Sequence, residues 1–80
     1  MSLDIETVVI SAIATQKQLN TASIKRESRL QDLGVSSLDA ITIVYEVEEA
    51  FDVEIPNAEL EKLETVGDIV DGIGSLLADK

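Results

Sequence analysis

Cysteine, histidine and tryptophan are all absent from this chain. Without cysteine no disulfide braces the fold and no thiolate binds metal. Without histidine the usual transition-metal sites and imidazole acid–base catalysis are excluded. Aromatic residues are down to one Tyr and one Phe, which leaves little to stack on bases. Positive charge is scarce: six Lys and Arg stand against sixteen Asp and Glu, for a formal net charge of −10. That balance argues against nucleic acid and anionic membrane surfaces, and for partners with basic patches. No uncharged run is long enough to span a bilayer. The N-terminus shows no basic region followed by a long apolar run, so no signal peptide is read. A soluble, cytoplasmic protein is expected. Eighty residues make one small domain, 1–80, of modest stability. Because 45% of the chain is apolar, it is not a disordered acidic tail.

What is present is helical periodicity. From Asp4 to Lys17 the apolar positions Ile5, Val8, Val9, Ala12 and Ile13 form one stripe. The β-branched run Val8-Val9-Ile10 favours a strand, yet the spacing fits 3.6 better than 2. Residues 18–35 keep no period. Leu19, Ile24, Leu30 and Leu33 punctuate them like anchors of a long loop. A loop of this length in a small domain is unusual and often functional. Gly34 permits a positive φ where the chain turns into the next helix. Ser36-Ser37-Leu38-Asp39 fits a capping box, with Asp39 in place of the commoner Glu.

Two stripes follow on that helix: Ala40, Ile43, Val44, Val47 and Phe51 toward a core, and Leu38, Ile41 and Tyr45 on a neighbouring face. One stripe suffices to fold a helix against a small core. The second is extra burial or a surface left open. Pro56 breaks the helix. Asn57 to Leu63 is expected to make a short helical turn with Ala58, Leu60 and Leu63 inward. Thr65, with Asp68 three residues on, caps a last helix along Val66, Ile69, Val70, Ile73, Leu76 and Leu77. The fold class expected is all-α: a small four-helix bundle of three main helices plus a short third, with a long loop between helices 1 and 2.

Ser37 is the residue with chemistry to offer. With Ser36 as N-cap, Ser37 is the first helical residue and its hydroxyl has no capping duty. The unpaired N–H groups and positive dipole end of a helix suit a phosphate, so a serine here is placed to carry a phosphodiester. Taken alone, Ser-Ser before an apolar helix is most often only a cap. Nucleophilic catalysis is disfavoured. There is no histidine base, and no Lys or Arg lies between Gly34 and Glu61 to activate an alcohol. No constellation of acid, base and nucleophile is present, so an enzyme is not expected.

The stretch Asp32-Leu-Gly-Val-Ser-Ser-Leu-Asp39 resembles the attachment motif of acyl carrier proteins, commonly Asp-Leu-Gly-x-Asp-Ser-Leu-Asp. Val44-Tyr-Glu-Val-Glu-Glu-Ala-Phe51 resembles the family's acidic second helix. Phe51-Asp-Val-Glu-Ile-Pro56 resembles its exit, and Thr65-Val-Gly-Asp-Ile-Val70 the opening of the last helix. The resemblance covers nearly the whole chain, in order. It implies that Ser37 receives 4′-phosphopantetheine from coenzyme A through a phosphopantetheinyl transferase of the holo-carrier synthase type. The thiol of the arm would then carry an acyl group as a thioester, which supplies the sulfur that the chain lacks. The family's partner face maps onto Leu38, Asp39, Ile41, Tyr45, Glu48 and Glu49. Its core would include Val8, Ile43, Val47, Phe51, Ile55 and Ile69. The partners implied are acyl-loading, ketosynthase or acyltransferase enzymes with basic patches, and the carrier itself is a monomer. Ser36, Thr42 and Tyr45 depart from the common pattern, which points to a specialised carrier serving a dedicated pathway. The alternatives are an unmodified helical interaction module and a polyketide or aminoacyl carrier.

From Gly34 through Glu61 there are eight acidic residues and no basic one. Glu46, Glu48, Glu49, Asp52 and Glu54 crowd one helix end, where acids oppose the dipole. Partner steering is a motive for that cost. No metal site is expected: Asp68, Asp71 and the nearby glycines do not follow a calcium-loop pattern. Lys25, Arg26 and Arg29 are either solvated or pinned to carboxylates of the second helix.

Overall fold

The computed structural model describes residues 4–78. Four helices account for most of them: α1 (Ile5–Lys17), α2 (Ser37–Phe51), α3 (Asn57–Leu60) and α4 (Val66–Ala78). A single 3₁₀ turn, Thr21–Ser23, interrupts the long connection between α1 and α2. The helix α1 packs against both α2 and α4, and α2 meets α4 more narrowly.

The core is aliphatic. Val9 and Ile13 of α1, Ile43 and Val47 of α2, and Ile69 and Ile73 of α4 are wholly shielded from solvent. Burying a side chain of this size contributes about 1.5–3 kcal/mol. No polar or charged side chain is buried among the described residues. The stripes read from the sequence account for this core. Val8, Ala40, Phe51, Leu60, Leu63, Leu76 and Leu77 line its half-buried margin. Ala58 is a correction. It was expected inward but is exposed, because α3 is a single turn and turns only Leu60 toward the core.

The long connection is not structureless. Ile24 and Leu30 are buried, as is Val35, and they hold it against the helices. It is also stitched to the segment that leads into α4. Leu30 donates its N–H to the Glu64 carbonyl at 2.9 Å, Val66 to Ser28 at 3.0 Å and Gly67 to Arg26 at 2.8 Å. Arg29 and Thr65 face each other in an isolated antiparallel bridge at the centre of this ladder. Glycine at position 67 lets the two segments approach closely: a Cβ there would lie 3.2 Å from the Arg26 carbonyl oxygen, tighter than an ordinary contact.

Arg26 reinforces the seam. Its Nη2 lies 2.7 Å from Asp71 Oδ1 and its Nη1 lies 3.8 Å from Glu6 Oε1. The loop cation thus pairs with α4 and α1, not with α2.

Candidate functional site

The chain reaches α2 through a turn that the sequence specifies residue by residue. Gly34 adopts φ +78°, a conformation L residues rarely take. Val35 then drops into the core, and its N–H donates to the Leu30 carbonyl at 2.9 Å. Ser36 is the N-cap in extended conformation. Its Oγ accepts from the Asp39 N–H at 3.2 Å, and its own N–H donates to Asp39 Oδ2 at 3.2 Å. This reciprocal capping box satisfies two of the helix's otherwise orphaned donors.

Ser37 comes next, as the first residue of α2. It is exposed, and its hydroxyl makes no hydrogen bond among the described residues. The N–H groups of Ser37 and Leu38 likewise meet no acceptor there. A free hydroxyl thus sits beside unsatisfied amides at the positive end of a fifteen-residue helix. The cap on one side does the work of ending the helix, which leaves its neighbour available.

Asp39 has a second partner that the sequence did not disclose. Lys17 Nζ, at the end of α1, reaches its Oδ2 at 3.0 Å. The hydrogen bond from Lys17, and next the backbone N–H of Ser36, hold the Asp39 carboxyl down to about 2 from its ordinary 3.8. The folded chain therefore takes up this proton less readily than the unfolded chain. The stabilising contribution is complete above the ordinary carboxylate value and is lost as pH falls from 3.8 toward about 2. Asp39→Asn is expected to flatten the acid unfolding curve within that window, as followed by circular dichroism. An unchanged acid limb would show that the carboxylate is not coupled to folding.

The remaining residues of the proposed partner face divide into two kinds. Leu38, Ile41 and Tyr45 stand open at 77%, 41% and 66% exposure. This is an apolar strip along α2 that the core does not use. Glu49 is also exposed. Glu48 is half-buried and turns back over the helix end, where its carboxylate accepts the Ile55 N–H. Asp39 and Glu48 therefore both have internal partners. Asp39 closes the N-terminal end of α2, and Glu48 ties the chain that leaves its C-terminal end.

A cleft of about 660 Å³ opens at the start of α2, between that helix and α3. Ser36 and Ser37 stand in its wall, with Ala40 and Ile41 along one side and Leu60 and Leu63 along the other. Arg29 also lines it, with Glu61 and Glu64. That Arg29 and Ser37 share a surface is not visible from residue spacing, because the ladder to Thr65 places the loop there.

The chain is similar to known proteins. Residues 7–73 match the family described as the phosphopantetheine attachment site. The chain belongs to that family. A curated acyl carrier protein of Wolinella succinogenes is 44% identical to this attachment domain over 68 residues, which cover 84% of each chain. The crystal structure of an acyl carrier protein from Thermotoga maritima superposes with a TM-score of 0.82 at 22% identity, covering 91% of this chain and 86% of that one. At that level of identity the superposition speaks for the fold, which is the all-α bundle the periodicity predicts. The family's cofactor is 4′-phosphopantetheine, and the site fits it. An exposed, unbonded hydroxyl is available for esterification, unsatisfied amides adjoin it for a phosphate, and a cleft begins beside it for an arm. No helix among the described residues is long and apolar enough to cross a membrane.

Proposed function

We propose that the chain is an acyl carrier domain, residues 1–80, whose arm is esterified to Ser37. The observation that carries this reading is the division of labour between adjacent serines. Ser36 caps α2, and Ser37 presents a hydroxyl that makes no hydrogen bond among the described residues. In the loading step Ser37 Oγ forms a bond to the pantetheine-side phosphorus of coenzyme A. The P–O bond of the pyrophosphate breaks, adenosine 3′,5′-bisphosphate leaves, and the hydroxyl proton passes to a base on the transferase. When bound, the arm supplies a thiol that holds an acyl group as a thioester.

The chain's own residues orient and are recognised. The capping box and Lys17 fix the first turn of α2, so the ester oxygen has a defined position. Leu38, Ile41 and Tyr45 form the contact strip for partner enzymes. The acids from Gly34 to Glu61 steer basic patches toward it, an attraction that weakens with salt. Loading enzymes, ketosynthases and acyltransferases of fatty-acid or related lipid and polyketide synthesis are partners of that chemistry. Catalysis resides in them, in the cytoplasm, and the carrier is a monomer.

Incubation with coenzyme A and a broad-specificity transferase tests the reading. Intact-mass analysis is expected to show one pantetheine phosphate added, and fragmentation to place it on Ser37. Absence of the adduct, or its appearance on another side chain, overturns the assignment.

A further inference from the structure

We infer that Arg29 holds the phosphodiester of the arm, and so directs the arm along the cleft between α2 and α3. This rests on the Ser37 reading and adds a residue to it. The chain carries few cations against a net charge of −10. Lys17 is engaged with Asp39, Arg26 with Asp71 and Glu6, and Lys62 with Glu59. Arg29, like Lys25, makes no ion pair among the described residues, although it stands amid an excess of acids. It is also the one cation among the described residues that lines the cleft containing Ser37.

Its backbone is fixed. The bridge to Thr65 holds the Arg29 backbone, and buried Leu30 follows it, so its exposed side chain starts from a fixed point in the cleft wall. A planar guanidinium matches two phosphate oxygens at once. The unsatisfied N–H groups of Ser37 and Leu38 serve the same group from the helix side. Glu61 and Glu64 line the cleft too, outside ion-pair reach of Arg29. Glu64 flanks Arg29 across the ladder to Thr65, so Arg29 and the helix-end amides are the groups in the cleft that attract a phosphate. From there the pantetheine chain passes over Ile41 and Leu63 instead of extending into solvent.

The experiment compares apo and holo forms of the wild type, Arg29→Gln and Arg29→Lys, each checked by mass for the arm on Ser37. Arg29 meets the phosphate only in the folded state, so loading is expected to raise the wild-type melting temperature by about 2–5 °C. Arg29→Gln is expected to melt with the wild type as apoprotein, to accept the arm, and to lose that gain. Arg29→Lys keeps part of it, because charge remains without the fork. The ³¹P resonance of the holo form is expected to move in Arg29→Gln, and less in Arg29→Lys. An equal thermal gain and an unmoved ³¹P signal in Arg29→Gln overturn the role of Arg29 alone. Failure of the wild type to gain the arm on Ser37 overturns the attachment reading, and this one with it.

Discussion

Ser37→Ala is expected to abolish pantetheine transfer completely while leaving the fold intact. The hydroxyl makes no hydrogen bond among the described residues and the side chain is exposed, so its removal costs little in packing. Surface changes of this kind stay within about 0.5 kcal/mol. Ser36→Ala is the informative partner. That hydroxyl accepts from Asp39 N–H, and losing an N-cap costs about 1 kcal/mol. In a domain this size that lowers the melting temperature by about 4–8 °C. Yet Ser36→Ala should still be loaded at Ser37. Adjacent serines then give opposite results: one variant is stable and inert, the other weakened and modified. Paired melting curves and intact masses read both. Loading of Ser37→Ala, on Ser36 or elsewhere, would mean that the attachment oxygen has been misassigned.

Ile43→Ala is expected to cost about 2–5 kcal/mol, the usual range for opening a cavity in a closed core. Ile43 is 0% exposed at the centre of α2. A domain of this length holds roughly 4–12 kcal/mol in all, at about 0.05–0.15 kcal/mol per residue. The variant therefore loses a large share of its stability and in part unfolds at ordinary temperature. Ile41→Ala, two positions earlier on the same helix, removes the same atoms from the open strip. It is expected to change stability by no more than about 0.5 kcal/mol. Urea titration of the two variants separates the faces of α2. A comparable loss at both positions would show that the strip is held in the core and is not available to a partner.

The helices were legible because a period of 3.6 marks which residues turn inward, and the aliphatic stripes here are nearly unbroken. The turn at Gly34, the Ser36–Asp39 box and the Thr65–Asp68 cap were legible for another reason. Each is a local contact, closed within three or four residues and fixed by side-chain chemistry. The rest is not local. Lys17 reaches Asp39 across the junction of two elements, and Arg26 reaches Asp71 across most of the chain. A sequence shows that such charges exist but not which ones meet. Glu48 read as a surface acid because nothing nearby shows that the chain doubles back to offer it the Ile55 N–H. Ala58 was placed inward by extending a helical count beyond the single turn that α3 completes. Arg29 was invisible as a site residue for the same cause: a bridge between distant segments sets its position.

That bridge has a bearing on how the attachment oxygen is held in space. Closing a large ring costs only slightly more than closing a small one, since the entropy grows with the logarithm of its length. The three N–H···O contacts between residues 26–30 and 64–67 thus fasten the front half of the molecule to its last helix at modest expense. The short tether from that fastening to Ser37 is itself anchored by Leu30 and Val35. The hydroxyl is consequently suspended from a hub set by α4, the helix furthest along the chain. Loosening of the C-terminal helix therefore bears on the placement of the ester oxygen as well as on the core.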